Sequence, residues 1–240
     1  MIRLVTTAGA ALALSACHVG AEAEARDAGS SVTRNYQVGS FDKIEVAGPY
    51  DVKVTTAGTP GASATGGKSL LDQTEVFVEG NTLKIRPRKK GGMQVTWGKN
   101  GKAQFTVTTA TLHGAAIAGS GRILVDKVDG DFTGSIGGSG DLQLPSVRGN
   151  AVEFSIGGSG KITAAGTAQS TSIKIGGSGN VDASGLAART ASVAIGGNGD
   201  VKANASDSAN VSIAGSGDVT ISGGAKCSVS RAGSGNVNCG

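Results

Sequence analysis

The sequence predicts an all-β protein: a right-handed β-helix of about seven coils, each 18–20 residues long, capped by a β-rich N-terminal region. Glycine supplies 41 of the 240 residues and only 3% are aromatic, so the core must consist of thin layers of small side chains. A hydrophobic content of 38% is enough to build that core. A Gly-Ser-Gly or Gly-Asn-Gly triplet recurs at steps of 19, 20, 19, 20, 18 and 18 residues, with first glycines Gly119, Gly138, Gly158, Gly177, Gly197, Gly215 and Gly233.

Apolar residues alternate on both sides of each triplet with the two-residue period of a β-strand. Isoleucine stands two residues before the triplet in six units, and Arg231 takes that place in the seventh. Each unit therefore reads as strand, glycine turn and strand, and glycine suits the turn because it accepts positive φ without penalty. Such a unit cannot bury its apolar face alone, so we expect the units to stack ~4.8 Å apart. This stacking would line up an isoleucine column of Ile117, Ile136, Ile156, Ile175, Ile195 and Ile213.

Two other solenoids share this period. A left-handed β-helix shows a six-residue sub-repeat, which the sequence lacks. A calcium-binding roll needs nonapeptide half-repeats with carboxylates at fixed places, whereas the residue after each triplet is cationic in two units, which disfavours calcium. No metal or cofactor is expected.

The residues that follow the triplets form a charged column. In it, Arg122, Asp141 and Lys161 are expected to form a ladder of opposite charges, while Asp200 beside Asp218 is mildly unfavourable. The column reads Arg122, Asp141, Lys161, Asn180, Asp200, Asp218 and Asn236.

Residues 1–16 predict an export signal: Arg3 precedes a short apolar run that ends in small residues. Leu14-Ser15-Ala16-Cys17 resembles the lipobox of bacterial lipoproteins, in which Cys17 would become the lipidated N-terminus. By resemblance to lipoprotein sorting, His18 after that cysteine favours the outer membrane. Cleavage by the ordinary signal peptidase after Ala23 or Ala25 is the alternative and would leave a periplasmic or cell-surface protein. Residues 17–34 are expected to form a polar tether.

Residues 35–112 are predicted to form a β region that covers the first coil, because a solenoid needs capped ends. Alternating strands are predicted at 41–46, 52–54, 74–78, 82–86 and 104–108, with a turn at Gly80-Asn81. Trp97 and Phe105 are among the few large side chains available for packing there. Residues 113–240 are predicted to form the coils. His113 is expected to be a wall or cap residue rather than part of a metal site or a catalytic triad.

Two cysteines fall in inward-facing columns of the last coil. Cys227 occupies the place of Phe132 and Val152 in earlier units, and Cys239 that of Leu144. Both are expected to face the interior, where a disulfide would close the end that Arg231 leaves without an isoleucine. Such a bond is worth ~3 kcal/mol by chain-entropy arithmetic, and export makes the oxidation plausible. Two free buried thiols are the alternative.

The formal charge of +4 is concentrated in one stretch, which is a candidate anion-binding patch. The competing interpretation is a solvated hairpin edge whose cations discourage pairing with other chains. Nucleic acid is not an expected partner, since base-stacking aromatics and nucleic-acid modules are both lacking. The patch comprises Lys84, Arg86, Arg88, Lys89 and Lys90, followed by Lys99 and Lys102.

The segment Phe41-x-x-Ile44-x-Val46-x-Gly48-Pro49-Tyr50-x-Val52, the repeated Ile-x-Gly-Ser-Gly-Asp units and the ending Lys226 to Gly240 resemble the head GIN domain of putative auto-transporter adhesins. The resemblance covers roughly residues 35–240. It implies a right-handed β-helix in a secreted or surface-attached bacterial protein. No catalytic residues belong to that family, so none are transferred to this chain.

The sequence favours a non-enzymatic envelope scaffold or adhesin, held to a membrane by lipid and binding a glycan or another envelope protein. The alternative is a polysaccharide lyase or hydrolase, for which Asp126, Asp129 and Asp131 are the candidate acid–base groups. Such a cluster is more often a solvated turn. A serine lane with only small neighbours favours the scaffold, and comprises Ser139, Ser159, Ser178, Ser216 and Ser234.

Overall fold

The computed structural model describes residues 30–88 and 103–240, which are almost entirely β-strand. The export signal, Cys17 and His18, most of the tether, Lys89, Lys90, Trp97, Lys99 and Lys102 lie outside the described residues. The first strands and the one short helix are β1 (Ser31–Tyr36), β2 (Lys43–Val46), β3 (Asp51–Thr56), β4 (Gly61–Gly67), α1 (Lys68–Asp72), β5 (Thr74–Glu79), β6 (Thr82–Pro87) and β7 (Gln104–Thr109). The remaining strands are β8 (Gly114–Ile117), β9 (Arg122–Val125), β10 (Val128–Asp129), β11 (Phe132–Ile136), β12 (Asp141–Ile156), β13 (Lys161–Ile175), β14 (Asn180–Ile195), β15 (Val201–Gly215), β16 (Val219–Ser222), β17 (Lys226–Gly233) and β18 (Val237–Cys239).

The predicted β-solenoid is confirmed, because strands from successive units pair in parallel with equivalent residues in register. Ile136 pairs with Ile117 on one side and with Ile156 on the other, and Ile156 pairs with Ile175. Every member of the isoleucine column is at most 3% exposed. The column is therefore a continuous internal stripe, and each layer covers the apolar face of the one before it.

Each coil has three sides. Side A contains the strands that follow the triplets, so that β9 pairs with the start of β12. Side B contains the strands that precede the triplets, where β11 pairs with the end of β12. Side C is a short ladder between them, in which Val128 pairs with Val147, Val147 with Gly166, and Gly166 with Leu186. Inward residues of all three sides form one apolar core.

Part of the N-terminal region joins the stack instead of only covering it. Strands β2 and β3 pair in parallel with β8 and β9, which places residues 43–56 directly on the first predicted coil. On their other edges, β2 and β3 pair in parallel with β6 and β7. The order of layers therefore differs from the order of the chain, since residues 43–56 lie between the layer of β6–β7 and the coil at residue 114.

Antiparallel strands close the end of the stack that precedes these layers. Strand β5 pairs antiparallel with β6, β4 with β7, and β1 with β4. Leu70 and Leu71 of α1 are buried against this end. Residues 31–34, expected in the polar tether, belong to β1 instead, because the edge of β4 offers unpaired backbone groups and Val32 packs on the core.

Aromatic side chains concentrate in these first layers. Phe105 is buried, with its ring centroid 5.3 Å from that of Tyr50 and 6.3 Å from that of Tyr36. The hydroxyl groups of Tyr50 and Thr74 lie 3.1 Å apart. Burial raises the pKa of Tyr50 to about 12. The predicted packing role of Phe105 is thus confirmed.

The triplet glycines are required mainly by close approach between layers, and the expected positive φ is wrong for most of them. Among the first glycines of the seven triplets, only Gly215 and Gly233 have positive φ. At Gly138, an added Cβ would lie 2.3 Å from the carbonyl oxygen of Gly119 in the preceding coil. Each turn rests on the backbone of the turn below it, and no side chain fits between them.

Candidate ligand-binding surface

The acidic cluster proposed as an acid–base pair holds the backbone of neighbouring coils. Asp126 Oδ1 accepts hydrogen bonds from the Thr56 N–H and hydroxyl, both at 2.9 Å, and from the Lys127 N–H at 2.7 Å. Burial raises the pKa of Asp126, but these N–H donors outweigh it, so that pKa lies below the ordinary value of 3.8. The cluster joins the layer of β3 to the following coil.

The other two carboxylates also have partners, a lysine for Asp129 and backbone N–H groups for Asp131. Asp129 forms an ion pair with Lys127 at 3.0 Å. Asp131 Oδ1 accepts the N–H of Ala151 at 2.9 Å and that of Asn150 at 3.3 Å. Within residues 30–88 and 103–240, no group of three or more His, Cys, Asp or Glu residues is arranged to hold a metal.

The charged column acts as a hydrogen-bonded ladder rather than as a row of alternating ion pairs. Arg122 Nε lies 3.2 Å from Asp141 Oδ2, as predicted, but that oxygen accepts its second bond from Gln143 rather than from Lys161. Farther along, the Asp218 N–H donates to Asp200 Oδ1 at 3.0 Å. The expected repulsion between Asp200 and Asp218 is therefore offset by a bond that joins their coils.

The candidate anion-binding patch is largely neutralised in its described part. Lys84 Nζ forms ion pairs with Glu79 and Glu45. Arg86 Nε lies 3.2 Å from Glu75 Oε2, and the guanidinium sits 4.8 Å from the centroid of the Phe77 ring. Arg88 is exposed, and of these three cations it alone forms no ion pair with a residue that the structure describes.

The predicted disulfide between Cys227 and Cys239 is present, with the two Cα atoms 6.5 Å apart. Cys227 is half-buried and packs on the core, but Cys239 is exposed. The expectation that both face a closed interior is therefore wrong for Cys239. Arg231 lies at the same end and donates to the Gly235 carbonyl at 2.8 Å.

Side B presents a surface rich in small hydroxyl-bearing side chains, which Glu153, Lys174 and Asn210 interrupt. Its outward residues fall in three columns, in register between coils. Ser170 donates to the Asn150 carbonyl at 3.4 Å, and no other hydroxyl of this surface has a protein partner among the residues that the structure describes. We call this surface the hydroxyl face; its hydroxyl-bearing members are Thr133, Ser135, Ser155, Ser170, Ser172, Thr190, Ser192, Ser208, Ser212, Ser228 and Ser230.

The serine lane predicted from the triplets lies along the turns between sides B and A. Ser139, Ser159 and Ser178 are exposed, and each backbone N–H donates to a glycine carbonyl of the preceding coil at 3.0 Å. Their neighbours in the turns are glycines. The lane is bordered by the charged column, which contains Asp141, but the turns carry no aromatic side chain, unlike the cleft of a polysaccharide lyase or hydrolase.

Two shallow grooves lie along the edge where side C meets side B. The corner groove, of about 280 Å³, is lined by Gly130, Arg148, Gly149, Asn150, Thr167 and Gln169. The second groove, of about 350 Å³, lies beside it and includes Lys43, His113, Asp131 and Glu153. The half-buried His113 has ring Nδ1 3.1 Å from the Asp131 carbonyl oxygen, in agreement with the predicted wall position. Sequence reasoning missed both grooves, since no motif marks them.

Comparisons with known proteins agree with this architecture. The family model described as "Putative auto-transporter adhesin, head GIN domain" matches residues 40–225. The chain is similar to the crystal structure of a "putative adhesin" from Bacteroides fragilis, with 24% identity, a TM-score of 0.78, and coverage of 88% of this chain and 97% of that one. It is also similar to a "putative lipid binding protein" from Parabacteroides distasonis, with 25% identity, a TM-score of 0.72 and the same coverage.

A "putative adhesin" from Parabacteroides merdae is similar as well, with 19% identity, a TM-score of 0.68, and coverage of 88% of this chain and 97% of that one. The likenesses below 25% identity show a shared fold. No curated protein matches the chain. In the part of the chain that the structure describes, no helix has the length and apolar character needed to cross a bilayer.

Proposed function

The chain belongs to the putative auto-transporter adhesin, head GIN domain family, and we propose that it is a non-enzymatic cell-surface adhesin whose hydroxyl face binds glycan. Family membership supports an exported, surface-located protein. The fold supports a rigid display surface, because every coil is locked to its neighbours by parallel ladders and buried apolar columns.

The hydroxyl face is the observation that supports glycan binding. Where hydroxyls stand in neighbouring coils, as at Ser172 and Ser192, they lie about 4.8 Å apart, and two on one strand lie about 6.6 Å apart. Each hydroxyl can both donate and accept, which matches a polymer that displays hydroxyls at a regular spacing. A single hydrogen bond contributes only ~0.5–1.5 kcal/mol, but many contacts along one polymer act together. A rigid lattice also loses little entropy when it binds.

The test is binding of purified protein to immobilised neutral polysaccharides, with paired serine variants. Ser172→Ala with Ser192→Ala removes two hydroxyls from the hydroxyl face, and we expect a roughly tenfold loss of affinity. Ser159→Ala with Ser178→Ala removes two exposed hydroxyls from the serine lane of neighbouring turns and should leave affinity unchanged. Equal losses in both variants, or no loss in either, would show that the hydroxyl face is not the binding surface.

Incubation with the same polysaccharides also tests the non-enzymatic assignment. The engaged carboxylates of Asp126, Asp129 and Asp131 support binding without turnover, because each is already committed to a backbone N–H or a lysine. We expect no release of shorter oligosaccharides over many hours. Appearance of cleavage products would instead establish the polysaccharide lyase or hydrolase.

We further propose that lipid on Cys17 anchors the protein to the outer membrane and that residues 18–30 space the solenoid from the bilayer. Support comes from the lipobox-like Leu14-Ser15-Ala16-Cys17 and from the disulfide, which accounts for the other two cysteines. Mass spectrometry of the mature protein tests the proposal. Diacylglycerol on Cys17 is expected, whereas an N-terminus at Glu24 or Arg26 would contradict the anchor.

A further inference from the structure

The corner groove borders the hydroxyl face, and backbone forms its floor. Gly130 and Gly149 are stacked there, and an added Cβ on Gly149 would lie 2.4 Å from the Gly130 carbonyl oxygen. The Gly130 N–H in turn donates to the Arg148 carbonyl at 2.8 Å. The floor therefore carries no side chain larger than that of Ala168, which leaves a hollow of about 280 Å³ at the edge of side B. That volume is near the lower end of small-ligand sites, which begin at ~300 Å³.

Arg148 stands at this groove with its guanidinium uncommitted. Its side chain is exposed, and it has neither an ion pair nor a hydrogen bond to any residue that the structure describes. Other arginines are held by carboxylate oxygens at 2.6–3.2 Å: Arg34 by Asp72, Arg86 by Glu75, Arg122 by Asp141, and Arg189 by Asp207.

Two acids of the preceding coil, Asp129 and Asp131, already have other partners. Asp129 is the ladder partner of Arg148, but its carboxylate pairs with Lys127 at 3.0 Å. Asp131 Oδ1 accepts hydrogen bonds from the backbone N–H groups of Asn150 and Ala151. Arg148 is therefore free to take an anion from solution, and its planar fork suits a carboxylate or a sulfate.

Uncharged hydrogen-bonding groups complete the lining of the groove. Asn150 and Gln169 come from successive coils, about 4.8 Å apart, and Thr167 stands beside them. Two amides can each donate and accept, as sugar hydroxyls require. One cation beside two amides and a hydroxyl matches a single acidic sugar better than a simple inorganic anion, which would leave the amide groups without a role.

We propose that the corner groove is a subsite for one acidic sugar of a polysaccharide, with Arg148 binding its carboxylate or sulfate and Asn150 and Gln169 binding its hydroxyls. This subsite rests on the proposed glycan-binding function and deepens it. A polymer that enters the groove can continue onto the hydroxyl face at Ser170, which follows Gln169 in β13. The groove would select for charge, and the hydroxyl face would extend the contact.

Binding of polygalacturonate and of its uncharged methyl ester, both at an ionic strength of ~0.15 M, tests the subsite. Wild-type protein should prefer the acidic polymer. Arg148→Gln should weaken polygalacturonate binding roughly 10- to 100-fold and leave binding of the ester unchanged. Arg122→Gln is the matched control: it removes the same charge from side A, outside the groove, where Asp141 holds the guanidinium at 3.2 Å. The control should change affinity by less than roughly twofold.

Each outcome decides between the subsite and the broader function. Equal losses in Arg148→Gln and Arg122→Gln would mean diffuse attraction to positive charge and would overturn the subsite. Equal wild-type binding of polygalacturonate and its ester would overturn it as well, while leaving glycan binding intact. If Arg148→Gln alone loses affinity for polygalacturonate and the Ser172→Ala, Ser192→Ala variant binds normally, the result would support the subsite. It would also contradict the proposal that the hydroxyl face binds glycan.

Discussion

Alanine should be tolerated at Gly157 and strongly destabilising at Gly158, although the two glycines are adjacent in one turn. An added Cβ on Gly157 would meet nothing nearer than the Ile136 carbonyl oxygen, at 4.0 Å. On Gly158 it would lie 2.3 Å from the Gly138 carbonyl oxygen. Neither glycine has positive φ, so backbone strain is the same and only the close approach between layers separates them.

The magnitude follows from that distance. A carbon atom normally stays ~3.3 Å or more from a carbonyl oxygen, so Gly158→Ala must separate two coils locally by about 1 Å. The same Gly138 oxygen accepts the Ser159 N–H at 3.0 Å, and this bond would be lost. Overpacking costs ~1–3 kcal/mol and a lost hydrogen bond ~1 kcal/mol, which gives a total of roughly 2–4 kcal/mol. Gly157→Ala should instead be neutral or stabilise by up to ~1 kcal/mol, because alanine restricts the unfolded chain.

Thermal unfolding followed by far-ultraviolet circular dichroism measures the difference. At this chain length, 1 kcal/mol corresponds to about 2–4 °C, so Gly158→Ala should lower Tm by roughly 4–16 °C. Hydrogen exchange should show faster exchange of the Ser159 amide in Gly158→Ala and normal exchange in Gly157→Ala. Equal Tm values for the two variants would refute the close-approach explanation of the triplet glycines.

Three further perturbations test the core, the final coil and the acidic turn. Ile175→Ala should lower the free energy of unfolding by about 2–5 kcal/mol in urea titration, because it leaves a cavity in the buried isoleucine column; a loss under ~1 kcal/mol would contradict that burial. Cys227→Ser with Cys239→Ser should speed hydrogen exchange mainly in the last coil, since only that layer is closed by the disulfide; uniform acceleration throughout the stack would disagree. Asp126 has a pKa below its ordinary 3.8, so its stabilising contribution is complete above that value and is lost as pH falls below it. Asp126→Asn should therefore show a weaker loss of stability on acidification than wild type, and identical pH profiles would count against this role.

The repeat could be predicted because its period is a local property of the chain. The triplet recurs every 18–20 residues, and an isoleucine stands before it in most units. Units this short bury their apolar faces by stacking on one another. The disulfide was predictable for the same reason, since Cys227 and Cys239 occupy columns that the repeat defines. The columns could not indicate that Cys239 is exposed, because exposure depends on whether another layer follows.

The candidate sites were harder to predict, because charge alone does not reveal pairing. Lys84 and Arg86 belong to a run of cations, yet acids from other strands neutralise them. Arg148 stands in no run of cations. Its proposed role in binding depends on the other partners that Asp129 and Asp131 already have. Ion pairing is set by distances of a few ångströms between residues remote in sequence, so a one-dimensional pattern cannot report it.

The sequence by itself determined the β-solenoid, its period and the residues that face inward, because a two-residue alternation within an 18–20-residue repeat has few ways to bury its apolar side chains. Only the tertiary structure decided that residues 43–56 are inserted between the layer of β6–β7 and the coil at residue 114. It also decided which carboxylates are occupied and that Arg148 has no ion pair among the described residues. These features depend on contacts between distant segments, whose entropic cost is repaid only once the whole stack has formed.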